Sequence, residues 1–165
     1  MGMDDAFARI DAERIGENYF LIGLINRFNN SFQAAADALL DELSWKQVFF
    51  MNCVALFPEP PTIKDMASLL GCSHQNAKQV SSKLEAAGYL QFQRDAADGR
   101  KRRMALTEKA VRFRSRYEAA SEQAMRRLFA NIPDDAVHNM VQTFVRLIEN
   151  VDAMKGEGRE DDRGL

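Results

Sequence analysis

Residues 62–84 read TIKDMASLLGCSHQNAKQVSSKL, and this spacing predicts two short helices joined by a turn. Thr62 stands three residues before Asp65, which is the pattern of a capping box at the start of the first helix. Gly71 suits the turn that ends this helix, and Ser73 can cap the second one. The second helix keeps its apolar residues at Ala77, Val80 and Leu84. The stretch therefore has the anatomy of a helix-turn-helix.

Polar residues of the second helix face away from this packing side. The outward-facing residues are His74, Gln75, Lys78, Gln79 and Ser82, and Asn76 and Lys83 flank them. Glutamine and asparagine side chains match adenine in the major groove of duplex DNA, whereas lysine prefers guanine or the phosphate backbone. A solvated helix face has a similar composition, so these residues alone leave DNA binding and simple solvent exposure both open.

A β-hairpin is predicted directly after the helix pair. Residues 89–94 and 101–106 alternate as strands, and residues 95–99 are turn-forming. Basic residues cluster around this glycine-containing tip, at Arg94, Arg100, Lys101, Arg102 and Arg103. Basic hairpin tips suit the narrow minor groove, where negative potential is concentrated. The competing interpretation is an edge strand that its charges protect from aggregation.

The charge of the chain is concentrated in the same segment. The whole sequence has a formal net charge of −2, which by itself argues against binding to a polyanion. Between residues 62 and 107, however, eight Lys or Arg stand against four acids, so this segment carries +4 and the remainder −6. This asymmetry marks the segment where nucleic acid would dock.

A long amphipathic helix is predicted before the helix pair, from about Glu13 to Glu42, because apolar residues recur there at three- and four-residue steps. About 30 helical residues extend ~45 Å, which is more than a small core needs, so part of the stripe is expected to meet a second subunit. Ser44 with Gln47 then forms another capping box. The helix that it opens, residues 45–57, is apolar on nearly every side, and we expect it at the centre of the fold.

Two further helices are predicted after the hairpin. Thr107 opens one that runs to about Ala130, and Asp134 starts the last one. The last helix carries an apolar seam suited to another helix, at Val137, Val141, Phe144, Ile148 and Val151. We expect a single domain over residues 1–165. Its parts are N-terminal helices for dimerisation and the core at 13–57, a DNA-binding lobe at 62–107, C-terminal dimerisation helices at 108–154 and a disordered tail at 155–165.

Three stretches of this chain resemble the multiple-antibiotic-resistance regulator (MarR) family: TIKDMASLLGCS, KLEAAGYL and DGRKRRMALTEK. The spacing Asp98-x-Arg100, with Leu106-Thr107 following, is similar to the wing signature of that family. The order of the elements agrees from about residue 13 to residue 154. One departure is Ala110, where family members often carry glycine, and alanine only extends the helix there.

The resemblance implies a winged helix-turn-helix fold, mainly α-helical with a small β-hairpin wing. It also implies an obligate homodimer with interlocked first and last helices, which binds double-stranded DNA at a pseudo-palindromic operator as a ligand-responsive transcriptional repressor. Ser73 to Gln79 would then enter the major groove and Arg100 the minor groove, while Asp98 would brace the wing. Arg94, Lys101 and Arg102 complete the expected DNA-binding set on the wing.

By the same resemblance, the chain would sense a small aromatic effector in a crevice between the dimer helices and the winged lobe. Arg27, Trp45 and Phe49 could line such a crevice. Apolar residues at helical spacing are usually core residues, so core packing is the competing interpretation for Trp45 and Phe49. Some family members sense oxidants through a cysteine, but Cys53 and Cys72 fall at apolar or self-packing positions rather than beside cations.

Other function classes find less support. An enzyme needs a nucleophile, a base and an orienting group or a metal set, and His74 and His138 belong to no such set. Cys53 and Cys72 lack metal-ligand spacing, so no zinc site, disulfide or cofactor is expected. No apolar run reaches the ~18 residues of a membrane helix, and residues 1–10 carry acids where a signal peptide needs positive charge, so the protein is expected in the cytoplasm.

The alternative to a DNA-binding regulator is a winged-helix module that binds other proteins. Such a module would need an apolar face on the second helix, whereas that face is polar here and the hairpin is basic. Weak, salt-insensitive binding to heparin would favour the protein-interaction module.

Overall fold

Local capping sets the helix boundaries in the computed structural model, which describes residues 12–95 and 98–160. Ser44, Thr62 and Ser73 each precede a helix, and each side-chain oxygen accepts from the backbone N–H three residues on. The helices are α1 (Ala12–Ile15), α2 (Glu17–Asp37), α3 (Trp45–Val54), α4 (Ile63–Leu69), α5 (His74–Ala86), α6 (Glu108–Leu128) and α7 (Asp134–Glu160). Strands β1 (Leu90–Arg94) and β2 (Arg102–Leu106) lie between α5 and α6. The predicted fold class, mainly helical with a small hairpin, is confirmed.

The predicted first helix, Glu13 to Glu42, is wrong in its bounds. Gly16 adopts a positive φ of 82°, which interrupts the helix between α1 and α2. At the other end, an Asp37 carboxylate oxygen accepts from the backbone N–H of Trp45 at 2.5 Å. This bond holds the chain in a turn between the two residues, so α2 ends before Glu42.

The core is built around α3, as the sequence predicted. Phe50 and Met51 are 1% and 0% exposed, and Met66 of α4, Leu84 of α5 and Met104 of β2 are each 0% exposed. Full burial of such side chains stabilises a fold by about 1.5 to 3 kcal/mol each. These residues hold the helix pair and the hairpin together as one lobe.

The two strands form an antiparallel hairpin in which Leu90 pairs with Leu106 and Arg94 with Arg102. The proline-rich link before α4 adds to this sheet, because the Pro61 carbonyl accepts from the Met104 N–H at 2.8 Å. An antiparallel bridge between Thr62 and Arg103 continues the contact. The hairpin is therefore fixed to the start of the helix pair.

The chain divides into two compact units, Met1–Arg114 and Ser115–Leu165, with the boundary inside α6. In the second unit, Asn131 adopts a positive φ of 63° between α6 and α7, within the break that the sequence predicted between Ala130 and Asp134. The α7 backbone is helical through Glu160, where a disordered tail was predicted from residue 155; glycine costs only about 1 kcal/mol in a helix. Residues 161–165 lie outside the described part of the chain.

Candidate nucleic-acid interface

Helix α5 is anchored on one side and capped at its start. Ala77, Val80 and Leu84 are buried, as predicted, and Ser81 is buried with them. The Ser81 hydroxyl donates to the Lys78 carbonyl at 2.9 Å, so this buried hydroxyl has a hydrogen-bond partner within its own helix. The anchoring fixes which residues of α5 point to solvent.

The opposite side of α5 carries the predicted DNA-contacting residues. Those exposed to solvent are Ser73, His74, Gln75, Lys78, Gln79, Ser82 and Lys83. Asn76 is half-buried, and its side-chain oxygen accepts from the Lys46 ammonium at 3.2 Å. Lys46 places a further cation beside the start of α5. Sequence reasoning missed it, because the contact joins residues 30 positions apart and no local motif signals it.

Asp98 organises the tip of the wing. Its carboxylate accepts from the Arg100 backbone N–H at 3.1 Å, and its carbonyl accepts from the Lys101 N–H at 2.9 Å. The Lys101 ammonium lies 3.6 Å from the same carboxylate. These contacts close the turn from Asp98 onwards, in keeping with the bracing role expected of it.

An open groove lies on one face of the wing. It encloses about 480 Å³ and is lined by Phe92, Arg94, Gly99, Arg100 and Arg102. The Arg102 guanidinium lies 4.5 Å from the centre of the Phe92 ring and 3.6 Å from the Glu85 carboxylate. Arg94 and Arg100 are exposed, and neither forms an ion pair with another described residue. Of the predicted wing cations, these two could meet a phosphate without first giving up an ion pair to a described residue.

Asp95 and Arg103 form an ion pair behind the tip. Asp95 is 8% exposed, and one of its carboxylate oxygens accepts from the Asp98 N–H at 2.7 Å. The Arg103 guanidinium donates to the other oxygen and also to the Pro60 carbonyl, the latter at 2.9 Å. Hydrogen bonding to Asp95 raises the pKa of Arg103 above its already high usual value. In the sequence Arg103 was indistinguishable from its basic neighbours, because the basic cluster does not reveal which arginine turns inward.

The residues predicted to line an effector crevice lie in or beside a row of aromatic rings. Trp45 packs edge-on against Phe32, with ring centres 5.0 Å apart, and stacks with Phe49 at a centre-to-centre distance of 5.8 Å. Phe28 stacks on Phe32, with ring centres 5.7 Å apart. Trp45 is half-buried, but Phe49 is 46% exposed, so core packing is the wrong interpretation for Phe49. Arg27, next to Phe28 on α2, is exposed.

The two cysteines differ in their burial. Cys53 is buried, and burial raises the pKa of its thiol, which lowers the fraction of reactive thiolate. Cys72 is half-buried in the turn between α4 and α5. Within the described ranges, no cluster of His, Cys, Asp and Glu could hold a metal ion. No described helix is both long enough and apolar enough to cross a membrane.

Solved structures with this fold include a MarR/EmrR family regulator from Acinetobacter sp. ADP1, with a TM-score of 0.74 and 14% identity over 87% of this chain and 99% of that one. The S. aureus MepR–DNA complex matches with a TM-score of 0.73 and 14% identity over 82% of this chain and 99% of the MepR chain. CouR from Rhodococcus jostii RHA1, bound to p-coumaroyl-CoA, matches with a TM-score of 0.67 and 25% identity over 74% and 88%. These neighbours are transcriptional regulators rather than enzymes, and they confirm the predicted resemblance.

No curated protein is significantly similar to the chain in sequence. Residues 29–156, which are more than half of the chain, match the family described as "Sugar transport-related sRNA regulator N-term". The match begins within α2 and ends within α7, so it includes the helix pair, the wing and both flanking regions. The chain therefore belongs to this family, and its fold is the winged-helix fold of MarR-family transcriptional regulators.

Proposed function

We propose that this chain is a ligand-responsive transcriptional repressor that binds a pseudo-palindromic operator in double-stranded DNA as a homodimer. The observation that carries the proposal is the presence, on one lobe, of an exposed polar helix face and an arginine-lined groove. An α-helix fits the major groove, and guanidinium groups suit the negative potential of a narrow minor groove. MepR, which shares the fold, was solved as a complex with DNA, and this supports the same mode of binding here.

The exposed residues have separable roles in this proposal. Gln75 and Gln79 read base edges, because a glutamine amide can donate to and accept from adenine. Lys78 and Lys83 contact phosphates, which sets the register but carries no sequence information. Arg100 enters the minor groove from the wing.

Homodimerisation is proposed from the apolar surface that one chain leaves exposed. On α7, Val141 is 53%, Ile148 59% and Val151 48% exposed. A helix burying this seam against a second copy would remove it from water. A two-fold dimer would place two copies of α5 about one DNA turn apart, ~34 Å, to match the two halves of an operator.

An effector with an aromatic ring is proposed to bind at the row formed by Phe28, Phe32, Trp45 and Phe49. Partly exposed rings offer stacking surfaces to a planar ligand. Arg27 would attract a carboxylate. CouR was solved with p-coumaroyl-CoA and PcaV from Streptomyces coelicolor with its natural ligand, which supports regulation of this kind here.

The deciding experiment is a footprint of the purified protein on the DNA upstream of its own gene, repeated at two salt concentrations. We expect a protected site with two related halves, overlapping a promoter, and affinity that falls steeply with salt. A protein-interaction module would protect no site and would bind heparin weakly and independently of salt. A site that activates transcription when occupied would contradict the repressor assignment alone.

A further inference from the structure

We propose that Asp95 and Arg103 form a clamp that positions the wing, so that Arg103 acts through Asp95 rather than by touching DNA. The inference rests on the proposed function, since it assigns a role within the DNA-binding wing. It divides the basic cluster of the hairpin into arginines that face a ligand and one that holds the others in place.

Strand geometry separates Arg103 from the groove. Arg94 and Arg102 are directly paired across the hairpin, and both line the groove. Side chains alternate between the faces of a strand, so Arg103, one residue after Arg102, points to the other face. There it is paired with Gln93 rather than with another cation.

On that face Arg103 is bound to the link before α4. Its guanidinium donates to the Pro60 carbonyl at 2.9 Å and lies 3.9 Å from the Glu59 carboxylate. The bridge from Arg103 to Thr62 fixes its backbone to the residue that caps α4. One end of the clamp is therefore the first residue of the helix pair.

The other end is the tip of the wing. The Asp95 side chain is 6% exposed, and among the described residues one of its oxygens accepts from the Arg103 guanidinium and the other from the Asp98 N–H. The Asp95 N–H also donates to the Lys101 carbonyl at 3.0 Å. Asp98 in turn accepts from the Arg100 N–H. A continuous series of contacts thus runs from Pro60 through Arg103, Asp95 and Asp98 to Arg100.

Loss of the pair should disturb the tip more than a surface ion pair would. Surface pairs contribute little to stability, whereas a buried carboxylate that loses its cation is left with an uncompensated charge. Without Arg103, Asp95 would turn towards water and release the Asp98 N–H. Arg100 would then no longer be presented in a fixed orientation.

Two substitutions test the clamp with little change in shape. Asp95→Asn retains an oxygen that can accept from the Asp98 N–H but removes the charge that Arg103 meets. Arg103→Gln removes the cation but leaves an amide donor. The double variant leaves a neutral pair with no buried charge, so it can be measured even where a single variant unfolds. Arg126→Gln is the matched control, because Arg126 forms an exposed ion pair with Glu122 on α6.

The readout is discrimination in the minor groove. In the operator found by footprinting, adenines that flank each half-site are replaced by 2,6-diaminopurine, which adds an amino group to the minor groove and leaves the major groove unchanged. We expect the wild type and Arg126→Gln to bind this DNA roughly tenfold more weakly than the natural operator. Asp95→Asn and Arg103→Gln should bind both DNAs equally, at the weaker level, with melting curves that remain cooperative. The double variant should lose no more operator affinity than the single variant with the larger loss, because the two residues act as one unit.

Two results would overturn the clamp. One is full discrimination by folded Arg103→Gln. The other is an equal loss of affinity on all DNAs with a salt slope lowered by about 1, which would make Arg103 a phosphate contact. A wild-type protein that binds no operator would instead overturn the proposed function, and the clamp with it.

Discussion

The lobe of residues 62–107 and the long helices before and after it in the sequence differ in how much of their apolar surface one chain buries. In the lobe, Met66, Leu84 and Met104 are 0% exposed. By contrast, none of the residues of α2, all of which the structure describes, is buried. On α7 the apolar Ile148 is 59% exposed. Exposed apolar surface of this kind is typical of an interaction site, and the proposed dimer would cover it on α7.

Polar contacts join the parts of the lobe to one another and to the link before α4. Thr62 and Ser73 cap helices within three residues, and Thr107 donates to the Gly88 carbonyl at 2.7 Å. The Asp95–Arg103 pair joins the wing to the link before α4. Under the proposed function, the lobe carries the DNA-contacting residues and α7 carries the dimer contact, so each region can be altered separately.

Truncation before Asp134 should have the largest effect, because it removes α7 and leaves residues 62–107 intact. We expect loss of dimerisation and a loss of operator affinity of roughly 10²- to 10⁴-fold, the gain from linking two half-site contacts. Sedimentation beside an operator titration measures both. Ile148→Lys should act in the same direction, whereas Asn150→Lys, with the same added charge on an exposed polar position, should not. A folded truncated protein that is still dimeric and binds at full strength would contradict this assembly.

Gln75→Ala or Gln79→Ala should act on the lobe alone and leave the dimer intact. Loss of a base contact should cost about 1 to 3 kcal/mol on the correct operator and much less on random DNA. Lys83→Ala is the comparison, since loss of a phosphate contact should weaken binding to both DNAs alike. Equal losses on both DNAs for the glutamine variants would show that they do not read bases.

Local signals in the sequence predicted the lobe well. Its features are local: the capping boxes at Ser44 and Thr62, the turn at Gly71 and the hairpin. The residues that determine each of them lie within a few positions of one another, so the sequence shows them directly. The first helix was predicted too long because its end depends on the contact from Asp37 to Trp45 across a turn. Helical periodicity alone contains no information about such a contact.

The candidate site was predictable in composition but not in its internal contacts. A run of four basic residues from Arg100 to Arg103 has no feature that separates a ligand-facing side chain from one bound to Asp95. Arg102 likewise stacks on Phe92 beside Glu85, which strand alternation alone does not reveal. The exposure of Phe49 depends on which distant parts of the chain pack over it, and the residues next to it in the sequence do not reveal this packing.

An aromatic carboxylate or phenol should couple the helices to the lobe. We expect it to lower operator affinity through about 1 to 3 kcal/mol of coupling, by binding the DNA-incompetent arrangement better. Trp45 is the single tryptophan of the chain, so its fluorescence should report ligand binding at the aromatic row directly. Phe49→Ala should lower the affinity for the ligand but not the affinity for the operator. Leu56→Ala, at an exposed apolar position outside the row, should change neither affinity. Ligands that bind without changing operator affinity would count against this coupling.

Arg100→Ala should produce a smaller effect, confined to the wing. If it removes one phosphate-neutralising contact, the slope of log affinity against log salt should fall by about 1. Asp98→Ala should act in the same direction more weakly, because it loosens the turn that presents Arg100. Titrations at two salt concentrations measure the slope. Unchanged affinity for Arg100→Ala at both would remove the wing from the interface.

The smallest expected effect concerns the stability of the lobe. Thr62 and Asp65 cap each other at the start of α4, and hydrogen bonding from the Thr62 N–H lowers the pKa of Asp65. A carboxylate whose pKa is lower in the folded than in the unfolded state stabilises the fold fully at pH values above the unfolded pKa, about 3.9. This contribution disappears as the pH falls through the folded pKa. Thr62→Ala should therefore cost about 1 kcal/mol at neutral pH, or about 2 to 4 °C in Tm, because it removes the Thr62 hydroxyl that caps α4 and donates to the Asp65 carboxylate. The backbone N–H bond to Asp65 remains in this variant, so only the hydroxyl's share of the loss should disappear as pH falls through the folded pKa of Asp65. Ser68→Ala, at an exposed position in the last turn of α4 and away from its N-terminal cap, is the control. Since the cap belongs to the lobe and not to the assembly, sedimentation should show an unchanged dimer; a Thr62→Ala protein that loses dimerisation together with stability would contradict the separation of the two regions.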